Sequence, residues 1–140
     1  MTKVVALLGS VLILMNLFLQ FPQDEKNDYY ISQSEIIINA AKEQAKQDGY
    51  FKDENIKEMT EQLAELLDVP GSEINVNVTT TPKYRINQFD ERELITYNIG
   101  IPVKKIIASN NFWGISDADN ERIHTFKGSC ASEKLLEGGV

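Results

Sequence analysis

Two residues in this sequence could together perform nucleophilic chemistry: His124, the single histidine, and Cys130, the single cysteine. A cysteine paired with a histidine can act as an activated nucleophile. Six positions apart on a regular strand, however, two residues share a face but lie about 20 Å from each other, too far for contact. The sequence also lacks a glycine-rich phosphate loop, a Gly-x-Ser-x-Gly elbow and a His-Glu-x-x-His motif. We therefore expect His124 to be an ordinary strand residue, and we expect no catalytic residues and no enzymatic activity.

Three acidic residues alternate near the C-terminal end: Asp117, Asp119 and Glu121. This spacing opens many calcium loops, because alternate side chains can converge on a hard cation. The sixth position of such a loop, a glycine in EF-hands, is Arg122 here, and no glutamate follows at the bidentate position. The three residues are thus a weak metal candidate, and the pattern favours a solvated acidic turn. We expect neither a bound metal nor another cofactor.

Charge and cysteine content exclude other classes. The 140 residues carry a net charge of -7, and the densest basic point is the pair Lys104 and Lys105. Because binding to a phosphate backbone needs clustered basic residues, we expect no nucleic-acid partner. Cys130 alone permits no intramolecular disulfide, so packing must hold the domain together. A small α+β fold is within reach of the residues outside the apolar N-terminal stretch.

That stretch, Val4 to Phe21, reads VVALLGSVLILMNLFLQF and contains no charged residue. At 1.5 Å per residue it would span about 27 Å, close to the hydrocarbon thickness of a bilayer. A cleaved signal peptide would need small residues before its cut, whereas the stretch ends with Phe18-Leu19-Gln20-Phe21-Pro22. A buried core helix of this length would show a polar face. The sequence predicts a membrane anchor.

The flanking charges indicate its orientation. Lys3 precedes the apolar stretch, and Asp24, Glu25 and Asp28 follow it. One lysine gives a weak positive-inside signal for a cytoplasmic N-terminus. The domain after residue 22 would then lie outside the cytoplasm.

The polar and small residues of the anchor fall on one helix face. Gly9, Asn16 and Gln20 are separated by seven and four positions, which at about 100° per residue brings them together. Small and amide side chains are a common means of helix–helix association in membranes. The alternative is that Asn16 and Gln20 lie near the interface and reach toward water, which is an equal explanation for Gln20. We predict that the face serves helix–helix assembly.

Pro22 follows the anchor, and a proline within a helix removes one hydrogen bond and clashes with the preceding turn. Beyond it, Tyr30, Ile37, Ala41 and Ala45 repeat at helical spacing. Gly49 is a suitable C-terminal stop. We predict one long helix from about residue 2 to residue 48, hydrophobic then amphipathic, and interrupted near Pro22.

The remaining chain predicts a second short helix and a small antiparallel sheet. Asp53 is a candidate N-cap for a helix through Leu67, with an apolar stripe that would face the core. Alternating apolar residues predict strands. The stripe consists of Ile56, Met59, Leu63, Leu66 and Leu67, and the strand segments are Ile74 to Val78, Tyr84 with Ile86, Leu94 to Val103 and Arg122 to Lys127. Pro102 lacks an amide donor, which places the end of its strand on an edge or bend.

Phe112 and Trp113 form an aromatic pair in the loop Asn110-Asn111-Phe112-Trp113-Gly114-Ile115, and Trp113 is the only tryptophan. Burial beneath the loop is one interpretation. The other is a subunit interface, since aromatic anchors are favoured there.

The apolar N-terminus, a proline near residue 22 and an amphipathic continuation packed on a small sheet resemble the type IV pilin superfamily. The chain is most similar to TadE-like pseudopilins and related small proteins of Gram-positive conjugative elements. They share the order of elements and a late segment seen here as Gly128-Ser129-Cys130-Ala131-Ser132-Glu133. Val5 occupies the place of the usual pilin glutamate, and Pro22 is in register with the pilin proline only if Met1 follows a leader cut.

The resemblance implies a pilin-like α+β fold, with residues 1–22 as membrane and filament-core helix and residues 23–140 as extracytoplasmic domain. It implies a structural subunit of a type IV-like pilus, with copies of itself, the membrane and the assembly machinery as partners. The chain would be a single-pass membrane protein before assembly and extracellular afterwards. The alternative is a membrane-anchored minor pseudopilin or accessory protein of a secretion, DNA-uptake or conjugation machine.

Overall fold

The computed structural model describes residues 1–85 and 93–135. They form two helices followed by an antiparallel three-stranded sheet with strand order β1-β2-β3, so the predicted α+β class is confirmed. The elements are α1 (Thr2–Asp48), α2 (Asp53–Leu67), β1 (Asn75–Val78), β2 (Leu94–Lys104) and β3 (Glu121–Ala131), with 3-10 turns at Gly71–Glu73 and Asn110–Trp113.

Backbone contacts divide the chain into two compact units. Unit 1 combines Met1–Tyr30 with Val103–Arg122, and unit 2 combines Ile31–Pro102 with Ile123–Val140. The functional boundary that we predict after residue 22 concerns which part enters the membrane, and it stays a prediction.

Helix α1 begins and ends as predicted, but Pro22 does not break it. The helical backbone is continuous from Thr2 to Asp48, with Pro22 inside. The predicted interruption of the helix is therefore wrong. Pro22 removes only one backbone hydrogen bond, because proline has no amide to donate to the carbonyl of Phe18. Gly49 ends the helix in the left-handed region, with φ of +85°.

The hydrophobic core lies in unit 2. Ile38, Ala41 and Ala45 of α1 are buried there, as the amphipathic spacing predicts. Met59 and Leu63 of the predicted α2 stripe are fully buried, while its other three members are half-buried. The Asp53 cap is wrong by one residue: Lys52 holds the N-cap position without a side-chain hydrogen bond, and Asp53 is the first helical residue.

The sheet explains the position of Pro102 in its central strand. β1 pairs with β2 from Val78↔Tyr97 to Asn75↔Gly100. Thr79 N donates to the carbonyl of Thr96, so even-numbered residues of β2 point their backbone groups toward β1. Pro102 lies two positions beyond the last β1 pair. Its missing donor therefore faces a stretch where β2 is locally an edge, and it costs no ladder hydrogen bond.

The inner face of β2 carries the alternating residues expected of it. Ile95, Ile99 and Ile101 are fully buried and Tyr97 is half-buried. The strand predicted around Tyr84 and Ile86 is described only in part: Arg85 makes an isolated bridge to Leu135, and Ile86 lies outside the described residues.

Candidate functional site

The most prominent surface of unit 1 is the apolar half of α1. An 18-residue window of this helix has a mean hydropathy of 2.3, and none of it is buried within the chain. Side chains as large as Leu14, Phe18 and Phe21 are more than half exposed. The N-terminal helix is long and apolar enough to span a membrane.

Gly9 and Asn16 lie on this exposed segment. A side chain at Gly9 would find open space, with no atom within 4 Å. The amide of Asn16 donates to the carbonyl of Leu12 one turn earlier, at 2.8 Å. Both residues are thus available to a neighbouring helix, and the assembly face remains a prediction.

Gln20, the third member of that face, is engaged within unit 1. Its Nε2 donates to the carbonyl of Ile106 at 2.7 Å, and its Oε1 accepts from the amide of Ala108 at 3.1 Å. The same Nε2 lies 2.7 Å from a carboxylate oxygen of Asp24. A side-chain amide that binds both a backbone carbonyl and a backbone N–H makes the same two hydrogen bonds as a residue of a neighbouring β-strand. Gln20 therefore fastens residues 106–108 to the helix.

A second amide continues this attachment seven residues later. Asn27 is buried, and its Nδ2 lies 3.4 Å from the carbonyl of Lys105, a long hydrogen bond. Its Oδ1 accepts from Gln23 at 3.1 Å. Sequence reasoning missed Asn27, although the spacing of seven from Gln20 to Asn27 repeats that from Gly9 to Asn16 and extends the same face.

Two asparagines hold the connection between β2 and β3 (residues 105–120, hereafter the hairpin loop) in a defined conformation. Asn120 is only 2% exposed, and its side chain binds both the amide of Ile107, at 2.8 Å, and the carbonyl of Ile107, at 2.9 Å. Asn110 is also buried and donates to the carbonyl of Ile115 at 3.1 Å and to Asp117 at 2.8 Å. Because these buried amides are satisfied internally, the loop holds its shape.

The hairpin loop presents the aromatic pair to the outside. Phe112 and Trp113 are 61% and 56% exposed, and their rings meet edge to face at 5.2 Å between centroids. Burial beneath the loop, one of the two interpretations, is therefore wrong. The subunit interface stays a prediction, and the exposed pair is available for an intermolecular contact.

The acidic residues form a turn with internal hydrogen bonds. Asp117 accepts from Asn110, and Asp119 accepts from the hydroxyl of Ser116. Within residues 1–85 and 93–135, no group of three or more potential ligands could hold a metal ion. Asp117, Asp119 and Glu121 are exposed, as expected of a solvated turn, and the absence of a bound metal stays a prediction.

His124 and Cys130 have different surroundings on β3. The ring of His124 packs against Phe126 at 4.8 Å between centroids, and both residues are half-buried. The thiol of Cys130 lies 3.8 Å from the carbonyl of Ile95. Burial raises the pKa of the Cys130 thiol despite the nearby Lys46 and Lys42, so it stays protonated and is a poor nucleophile at neutral pH.

Unit 1 thus combines an unburied apolar helix, an amide row that fastens a loop to it, and an exposed aromatic pair on that loop. These features suit binding to apolar surfaces. Comparisons with protein-family models, with curated proteins and with solved structures give no match to this chain.

Proposed function

We propose that this chain is a structural subunit of an extracellular type IV-like pilus, in which the N-terminal helices bundle in the filament core. The observation that carries the proposal is the apolar span of α1, of which no part is buried by its own chain. Such a surface needs lipid or other copies of the helix around it.

The energy of this surface is large compared with the stability of a domain. Burying one Leu, Ile, Val or Phe side chain contributes about 1.5–3 kcal/mol. Twelve of the 18 residues from Val4 to Phe21 are of this kind and exposed, so the sum exceeds the ~5–15 kcal/mol that stabilises a typical domain. If the chain leaves the bilayer, neighbouring helices must replace the lipid.

The order of events that we propose follows from this replacement of lipid by neighbouring helices. The chain is first a single-pass membrane protein with its domain outside the cytoplasm, and the pilus assembly machinery then transfers it to the filament. Repeated head-to-tail contacts between copies generate an open helical polymer. The domain, with its net negative charge, remains on the filament surface.

Substitutions on the predicted assembly face test this proposal in cells. Gly9→Leu should abolish filaments recovered by shearing, because it places a bulky side chain where helices approach closely. Asn16→Leu should strongly reduce them, because it removes an amide that can bind a neighbouring helix. Ser10→Leu is the matched control, since it adds a similar bulk one position away from that face. Membrane insertion, measured by resistance to alkaline extraction, should be unchanged in all three. Normal pili from both face variants would refute the packing face.

A second function is favoured by one observation. Gln20 binds the hairpin loop of its own chain and is not free for a neighbouring helix. The remaining face of Gly9 and Asn16 suits a smaller assembly, such as a membrane-anchored minor pseudopilin or an accessory protein of a secretion, DNA-uptake or conjugation machine. Sheared filaments that contain this chain as the main component would support the pilus, and strict retention in the membrane would support the accessory role.

A further inference from the structure

We propose that the aromatic tip of the hairpin loop, Phe112 with Trp113, inserts into the lipid headgroup–acyl boundary beside the anchor helix while the chain is in the membrane. This inference assigns a partner, the bilayer interface, to the exposed aromatic pair. It rests on the membrane-anchored stage of the proposed function, and it requires no filament.

The first support is the level at which the loop is attached to α1. Gln20 lies in the last turn of the uncharged stretch, and the first acidic side chain, Asp24, follows one turn later. In a chain whose apolar span fills the hydrocarbon, Gln20 therefore lies at the boundary between lipid and water. The residues that it binds, Ile106 and Ala108, lie at that same level.

The second support is the direction in which the loop runs. Lys105 is held opposite Asn27, and Ala108 is held opposite Gln20. From Lys105 to Ile106 the contacts therefore pass from Asn27 to Gln20, which is the residue nearer the lipid end of the helix, and the loop stays beside Gln20 through Ala108. The aromatic pair begins four residues after Ala108, and the chain returns to Ile106 at Asn120. The segment that carries Phe112 and Trp113 therefore begins and ends beside residues that lie at the membrane boundary.

The third support is the chemistry of the tip. Two adjacent aromatic side chains that are both more than half exposed form an apolar surface without a partner in unit 1. Tryptophan is enriched at membrane–water interfaces because its ring is apolar while its N–H can bind water or headgroups. The buried amides of Asn110 and Asn120 fix the loop, so little conformational entropy is lost when the tip enters lipid.

The same loop carries Asp117 and Asp119, so the tip does not depend on anionic lipid. Vesicles of zwitterionic phosphatidylcholine are therefore suitable for testing the inference. Trp113 is the only tryptophan, and its fluorescence reports on the tip without labelling.

The experiment uses the purified full chain in phosphatidylcholine vesicles at a high ratio of lipid to protein. We expect Trp113 emission to be shifted to the blue relative to the denatured chain and to be weakly quenched by aqueous acrylamide. Phosphatidylcholine brominated near the glycerol end of its acyl chains should quench it several-fold more than phosphatidylcholine brominated near the methyl end. Phe112→Ser, which keeps the probe, should reduce quenching by lipid and increase quenching by acrylamide.

Two results would overturn the inference. The first is strong acrylamide quenching with no effect of brominated lipid, which places Trp113 in water. The second is protection from both quenchers that disappears when the protein is diluted in lipid, which shows a contact between subunits. A Trp113→Phe, Phe18→Trp double variant moves the probe into the anchor and must be quenched by brominated lipid, which verifies reconstitution.

Failure of this inference and failure of the proposed function are distinguishable. Pili assembled from a chain whose Trp113 lies in water in vesicles would refute only the interfacial tip. Conversely, a tip that enters lipid in a chain that never forms pili would refute only the filament.

Discussion

Replacing Gln20 by methionine should release the hairpin loop from α1. Methionine has a similar length but cannot bind the carbonyl of Ile106 or the amide of Ala108, which Gln20 holds at 2.7 and 3.1 Å. A net hydrogen bond of this type contributes about 0.5–1.5 kcal/mol, so the two bonds together contribute about 1–3 kcal/mol to loop docking. Global unfolding of unit 2 should be unaffected.

Amide hydrogen exchange in detergent micelles measures this local energy directly. The amide of Ala108 should exchange about 5–150-fold faster in Gln20→Met, the ratio that corresponds to 1–3 kcal/mol. Gln20→Glu is the informative control, because it keeps an acceptor for Ala108 but removes the donor to Ile106 and adds charge beside Asp24. Unchanged exchange at Ala108 in the methionine variant would refute the clamp.

Three further outcomes follow from single residues. Gly49→Ala places a β-carbon 2.5 Å from a backbone carbonyl oxygen at a φ of +85°, so it should destabilise the folded state by about 2–5 kcal/mol. Gly114→Ala has a φ of +70° but open space around the β-carbon, so it should destabilise the folded state by only about 1–2 kcal/mol. Equal losses of unfolding free energy in urea would contradict this difference. Burial penalises the thiolate of Cys130 and so raises its pKa; the folded state therefore loses stability as pH rises above the ordinary thiol pKa of about 8.5, a decline that Cys130→Ala should reduce in unfolding curves. Pro22→Ala should stabilise α1 by up to about 3 kcal/mol by restoring a hydrogen bond, seen as slower amide exchange after residue 22; unchanged exchange would contradict it.

The helices and the main strands could be predicted because their residues obey one dominant period. The uncharged stretch from Val4 and the 3.6-residue spacing that ends at Ala45 leave no alternative to helix α1. Strict alternation from Ile95 to Ile101 likewise predicts the inner face of β2, because a shift by one residue would expose every isoleucine.

The attachment of the hairpin loop to α1 could not be predicted, because it joins positions 86 and 88 residues apart through amide groups. Amide side chains have no periodicity of their own, and Gln20 could equally serve a neighbouring helix, the interface or the loop. The exposed position of Phe112 and Trp113 was undecided for a related reason, since large aromatic rings occur both in cores and at binding surfaces. Continuity through Pro22 was missed because the penalty of a single missing hydrogen bond is smaller than the preference of the flanking residues for helix.

The hydrogen bonds in unit 1 also rank the two remaining positions of the predicted assembly face. Asn16 already donates to the carbonyl of Leu12, so a bond to a neighbouring helix would largely replace one that exists. Gly9 has no such alternative, and it can act only by letting a second backbone approach the open space beside it. Gly9→Leu should therefore reduce the yield of sheared filaments more than Asn16→Leu, with equal membrane insertion. The reverse order would show that the Asn16 amide, rather than close backbone packing at Gly9, holds adjacent helices together.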